Sequence, residues 1–180
     1  MIGEYSKESG SNLLKLARES IEEEFSRVTP ELPKGKEFNQ ARGVFVTLWK
    51  NKELRGCIGF PLPIYSISEA VYKAGKSAAF EDSRFDKLEE KELKNIKIEI
   101  SVLTIPQDVK DTSEIKIGRD GLICNYLGYS GLLLPQVATE NKMNRIQFLE
   151  ALASKAGLPK ETWQNKNFKI KRFQAQIFRE

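Results

Sequence analysis

Residues 44–60, VFVTLWKNKELRGCIGF, place two strand-like runs on either side of Asn51-Lys52. In the first run Val44, Val46 and Leu48 point one way and Phe45, Thr47 and Trp49 the other. Both faces are substantially apolar, which is the pattern of a strand internal to a sheet. A two-residue turn at Asn51-Lys52 makes the pair a hairpin. Asn tolerates positive φ, but Lys is a weak choice at the second position, so a longer loop is the alternative. With the short turn, Trp49 lies opposite Leu54, Leu48 opposite Arg55, Thr47 opposite Gly56 and Val46 opposite Cys57. An internal strand with a hairpin neighbour demands an antiparallel sheet whose apolar faces are covered.

The flanking segments supply the cover. Leu13, Leu14, Ala17, Ile21 and Phe25 form one stripe of a helix, with Ser9 or Ser11 available to cap its start. Ser66 and Glu69 match a capping box ahead of a second helix whose buried stripe is Ile67, Ala70, Val71, Ala74 and Ala78. EDSRF interrupts it, and a short helix is expected around Leu88–Leu93. Ile98, Ile100 and Val102 alternate with Lys97, Glu99 and Ser101, as in a half-buried strand. Short strands follow around Gly121–Tyr126 and Ser130–Leu134, joined by a turn at Leu127-Gly128. LLLPQVA reads as a core strand ending at its proline. Asn144 and Gln147 cap a helix that Gly157 stops. FKIKRFQAQIFRE closes the chain as a strand whose alternation changes phase between Ile170 and Phe173, the mark of a bulge. Hairpins without a βαβ rhythm predict an α+β fold, with helices packed on a mostly antiparallel sheet.

Composition excludes several chemistries. The chain of 180 residues has no histidine, which removes Ser-His and Cys-His catalysis and nearly all catalytic zinc sites. Its two cysteines, Cys57 and Cys124, have neither metal-binding nor redox-pair spacing and read as free thiols. A net charge of +4 without a basic block is weak support for a nucleic-acid partner. Lysine and glutamate richness is compatible with a thermophilic source. No apolar run reaches the roughly 20 residues that span a membrane, and the polar stretch MIGEYSKESGSN lacks the apolar segment of a signal peptide. A cytoplasmic protein is expected.

The candidate site residues gather in two places. In ELRGCIGF, Arg55 and Cys57 are same-face neighbours, so the guanidinium can favour a Cys57 thiolate and hold an anion. The opposing reading makes Cys57 a small buried apolar residue. Gly56 leaves room for Thr47, a helix or a ligand to approach the backbone. In FEDSRF, Glu81, Asp82 and Arg84 can bind a polar ligand or supply a general base, or else form a turn with a surface ion pair. Gln136 can hydrogen-bond a ligand or cap its loop. Tyr126 and Tyr129 can stack on bases, though packing beside a hairpin turn is the commoner role. GRDGL and GYSGL lack the context of a phosphate-binding loop.

LRGCIG, together with GVFVTL, AAFEDSRF, IEISVL, GRDGL, GLLLPQVATE, FLEALASKAGL and Trp163 in the same order, resembles the AMMECR family from about residue 10 onward. The chain departs from that pattern at Met143, where tryptophan is common, near Ala153, where cysteine is, and at Asn51-Lys52, often glycine. It also lacks a histidine that some members carry near GRDGL. The resemblance implies a single α+β domain over residues 1–180, with a larger and a smaller subdomain flanking a groove. It also implies an association with Memo-like and radical-SAM proteins, and no assigned activity, cofactor or oligomeric state. Three readings follow. Cys57 with Arg55, Glu81 and Asp82 acts as an enzyme on a small anionic or nucleotide-like ligand. Alternatively the hairpin shapes a recognition groove for RNA, protein or metabolite. In the plainest reading LRGCIG only packs.

Overall fold

The computed structural model describes residues 5–180; the first four residues of the polar N-terminal stretch lie outside them. In chain order the elements are α1 (Lys7–Ser26), β1 (Val44–Lys50), β2 (Glu53–Phe60), α2 (Ile67–Phe80), a 3-10 turn (Glu90–Asn95), β3 (Ile96–Leu103) and β4 (Gln107–Asp108). They continue with β5 (Gly121–Tyr126), β6 (Tyr129–Leu133), α3 (Pro135–Glu140), α4 (Arg145–Lys155), a 3-10 turn (Lys160–Gln164), β7 (Lys169–Phe173) and β8 (Ala175–Arg179). The fold is α+β, with two four-stranded sheets where the sequence suggested one. The chain forms two compact units. One runs to Leu103 and takes back Gln176–Glu180; the other is Thr104–Ala175.

In the first unit the strand order is β2-β1-β3-β8, so β1 is internal as its two apolar faces predict. Val44, Val46 and Leu48 join Ile98 and Ile100 under the α2 stripe Ile67, Ala70, Val71 and Ala74 and the α1 stripe Leu13, Leu16, Ala17 and Ile21. The α2 capping box forms as spaced, with Ser66 and Glu69 exchanging side chain–backbone bonds. At α1 the cap is Ser6, whose Oγ accepts the Ser9 N–H at 3.0 Å. The helix thus starts earlier than the Ser9 or Ser11 cap expected, and Ser9 itself is buried. β3 is more buried than a half-exposed strand: Glu99 and Ser101 are covered too, and Glu99 accepts Arg179 Nε at 2.6 Å.

The first hairpin carries the correction that matters most. Asn51 (φ 52°) and Lys52 (φ 68°) do make the two-residue turn, and Trp49 does lie opposite Leu54. The register then shifts: Leu48 pairs with Gly56, Thr47 with Cys57 and Val46 with Ile58. Arg55 is the extra residue of a β-bulge. A one-residue slip moves every following side chain to the opposite face. The unbulged register would send Arg55 and Cys57 toward Leu48 and Val46, into the apolar core. The bulge gives that face to Gly56 and Ile58 instead. Gly56 is then the only residue type that fits: a Cβ there would stand 2.1 Å from the backbone carbonyl oxygen of Ala78 in α2. Of the three approaches Gly56 was expected to permit, the helix takes the space.

In the second unit the order is β4-β7-β5-β6. Leu122 and Cys124 of β5 pack with Phe148, Leu149 and Leu152 of α4. The Leu127-Gly128 turn, the Asn144–Gln147 capping box and the left-handed Gly157 all form as the sequence predicts. LLLPQVA is strand as far as Leu133, as expected, and not beyond its proline. Pro135 opens α3 as its first residue, where its missing N–H costs nothing. Nor is the C-terminal segment one bulged strand. It breaks at Gln174 into β7 and β8, which belong to different sheets, so the phase change marks a sheet switch.

Gly56→Ala is expected to destabilise the protein by about 1–3 kcal/mol or more, because the clash is with helix backbone. Urea unfolding should show a lower midpoint; an unchanged midpoint would mean that α2 can move away at no cost.

Candidate functional site

β2 is an edge strand. Cys57 sits across from Thr47, and its amide and carbonyl are taken by the turn that follows α2. The Asp82 carboxylate accepts the Cys57 N–H at 2.9 Å, and Arg84 Nη2 donates to the Cys57 carbonyl at 3.2 Å. Asp82 and Arg84 also grip each other: Nε donates to Oδ1 at 2.9 Å and Nη2 to Oδ2 at 2.7 Å. The Arg84 guanidinium, then the amides of Cys57 and Arg84, hold the Asp82 carboxyl well below the usual carboxylate range, against the opposing effect of burial. Arg84 Nη1 makes no hydrogen bond to the described residues, and the Arg84 side chain is 54% exposed. FEDSRF is therefore a built turn that presents one immobilised arginine.

A second carboxylate organises the neighbouring wall. Glu92, on the 3-10 turn before β3, accepts Arg55 Nε at 3.1 Å and Lys50 Nζ at 2.8 Å on Oε1. Its Oε2 accepts Arg55 Nη2 at 3.0 Å and the Glu89 N–H at 3.0 Å. Arg55 first, then Lys50 and the Glu89 amide, lower the Glu92 pKa from 4.5 to about 2 despite burial. Arg55 Nη1 is buried and has no hydrogen-bond partner among the described residues.

These two arrays flank a cleft of about 600 Å³ lined by Lys50, Arg55, Arg84, Phe85, Lys87 and Lys91, with Asp86, Glu89 and Glu92 as its carboxylates. Counting Asp82, which pairs with Arg84 from behind, five cations stand against four carboxylates. Lys50 and Arg55 are paired with Glu92, and Lys91 with Glu89. Lys87 has no ion-pair partner among the described residues. Such an excess favours anions, and a guanidinium already fixed in place loses little freedom on binding one.

The structure brings Arg55 and Arg84 to one cleft and holds Asp82 just behind it. It does not place the Cys57 sulfur in the cleft wall. Thr47 Oγ1 donates to that sulfur at 3.3 Å. Glu81 turns back along α2, where Ser77 Oγ donates to it at 2.5 Å. Gln136 lies in α3, in the other unit. Tyr126 packs near Phe168, ring centroids 6.1 Å apart. In GRDGL the buried Asp120 pins its loop by accepting Arg119 Nη2 at 2.6 Å and the Lys116 N–H at 2.9 Å. Glu92, Lys50 and Lys87 escaped the sequence reading. Glu92 stands in the charged run EEKEL, where only its three-residue spacing from Glu89, a capping-box interval, sets it apart. Among the described residues no group of three or more His, Cys, Asp or Glu can hold a metal, and no helix is long and apolar enough to cross a membrane.

The AMMECR1 family model matches residues 14–178. The chain belongs to the AMMECR1 family. A Thermoplasma volcanium protein is 44% identical over 179 residues, covering 95% of this chain and 89% of its own. A Thermococcus onnurineus protein is 46% identical over 186 residues, covering 96% and 91%. The crystal structure of an uncharacterized protein from Pyrococcus horikoshii superposes with a TM-score of 0.90 at 41% identity, over 97% of this chain and 93% of that one. This AMMECR1-family member thus shares its fold with a solved relative, and the family expected from the sequence is the one matched.

Two measurements test the geometry. Glu92 binds its proton less tightly folded than unfolded, so its contribution, on the order of 3 kcal/mol, is complete above about pH 4.5 and vanishes as pH falls towards 2. The stability gap between wild type and Glu92→Gln should therefore be flat from neutral pH to about pH 5 and close below it; a gap that does not change with pH would contradict the pairing. For the thiols, Cys57 is half-buried and Cys124 sealed, its pKa raised by burial. A mild aromatic disulfide reagent should modify one thiol in the native protein, absent in Cys57→Ser, and the second only after unfolding.

Proposed function

We propose that the cleft beside β2 binds a small anionic ligand through a phosphate- or carboxylate-type group, and that Arg84 is the residue that recognises it. The observation that carries this reading is the state of Arg84. Asp82 and the Cys57 carbonyl fix its guanidinium through Nε and Nη2, and Nη1 is left over on an exposed side chain in a cation-rich cleft. Charge-assisted hydrogen bonds to such a donor contribute about 1.5–3 kcal/mol. Lys87 adds an unpaired charge, and Lys50 and Lys91 add field. Arg55, tied to Glu92, positions the wall.

In this reading the hairpin motif is a support. Gly56 admits the helix, and Cys57 contributes its backbone amide and carbonyl to the Asp82–Arg84 array. That use of the motif favours recognition over nucleophilic attack by the Cys57 sulfur, which the cleft does not include.

Calorimetric titration at low ionic strength with pyrophosphate and with citrate tests the proposal. At least one should bind, and Arg84→Met should weaken it tenfold or more, with Arg84→Lys between the two. Lys87→Met, on an exposed side chain away from the Asp82 array, should weaken it severalfold while leaving thermal unfolding unchanged. Absence of binding by either anion at millimolar concentration, or equal binding by both methionine variants and wild type, would refute the reading.

A further inference from the structure

The second unit holds a hollow of its own, about 650 Å³, against the outer part of its sheet. Its walls come from Val109, Phe168 and Trp163, and from Lys110, Lys166 and Lys169. The apolar part is firm: Phe168 belongs to the core of this unit, with Val109 and Trp163 packed against that core. The charged part is unspent. None of the three lysines has an ion-pair partner among the described residues. One carboxylate, Asp108, also lines the hollow, and it is 3.5 Å from Lys171 outside that lining. Trp163, on the 3-10 turn Lys160–Gln164, has a buried indole N–H with no acceptor among the described residues.

Small-molecule sites are concave, of roughly 300–1,000 Å³, mostly apolar, with a few polar groups that set orientation. This hollow falls within that size range, and its rim carries three ammonium groups against one carboxylate, Asp108, with the polar Thr112 and Asn165 beside them. Three unpaired ammonium groups around one space repel one another, and a multiply charged anion relieves all three at once. A monocarboxylate satisfies one of them; a phosphate dianion suits the set. Aromatic walls beside a phosphate-suited rim match a planar base. We infer that this hollow is a nucleotide site, in which Lys110, Lys166 and Lys169 receive the phosphate and the Trp163–Phe168 wall receives the base. It is built from residues of the second unit alone and is independent of the cleft at Arg84.

The test uses the intact chain and the four common nucleoside monophosphates as probes, titrated calorimetrically at low ionic strength. At least one should bind saturably, and the double variant Lys166→Met/Lys169→Met should weaken it tenfold or more. Arg84→Met should leave that affinity within twofold, which separates this site from the cleft. The protein has two tryptophans, so Trp49→Phe makes Trp163 the sole reporter, and the same nucleotide should shift its emission saturably. Both substituted lysines are exposed, so thermal unfolding of the double variant should match wild type. The inference is overturned if no monophosphate binds at millimolar concentration. It is equally overturned if inorganic phosphate binds as tightly as the nucleotide, or if the double variant binds unchanged. Loss of binding in Arg84→Met with retention in the lysine variant would place the nucleotide in the other cleft and would also overturn it.

Discussion

The carbonyl of Ala78 lies so close over β2 that only a residue without a side chain can stand beneath it. That single approach sets the geometry of everything around the cleft. It obliges Gly56 to face the helix, which a hairpin with a two-residue turn achieves only by slipping one residue. The slip ejects Arg55 from the ladder and sends its guanidinium to Glu92. It also fixes where α2 ends, and so where Asp82 meets the outward amide of Cys57.

Two buried carboxylates then do parallel work. Asp82 and Glu92 each hold an arginine by two hydrogen bonds and each take a backbone amide as well. A carboxylate removed from water in this way is tolerable because its lone pairs are occupied by charged and amide donors. The two arginines differ in what is left over. Arg55 is largely enclosed, while Arg84 keeps an exposed face. One pair therefore stiffens the wall and the other leaves part of its guanidinium facing solvent. The distinction comes from exposure and not from residue type.

Much of this was legible in the sequence. Capping boxes at Ser66 and Asn144, the tight turns at Asn51-Lys52 and Leu127-Gly128 and the stop at Gly157 are local signals, decided within four residues, and all of them form. The internal position of β1 followed from apolarity on both its faces. What failed was nonlocal. The bulge at Arg55 answers to the height of a helix more than twenty residues away, and no turn rule contains that distance. The break at Gln174 depends on two sheets competing for one segment, which alternation alone reads as a bulge. Pro135 ends its strand as read, but the short helix it opens went unread. Arg55 and Arg84 were found because arginines in unusual surroundings attract notice. Glu92 was missed because a glutamate among lysines and glutamates does not. Arg55 is tied to Glu92, and the guanidinium bonded to the Cys57 backbone is that of Arg84.

The occupied backbone at Cys57 has a further consequence. Edge strands offer free amides and carbonyls that recruit strands from other molecules. Here a carboxylate and a guanidinium already sit on that amide and carbonyl, imitating the next strand with two side chains. A neighbouring chain seeking to extend the sheet would first have to dislodge a mutually paired acid and base. The same turn that equips the cleft therefore discourages the protein from polymerising through its own sheet.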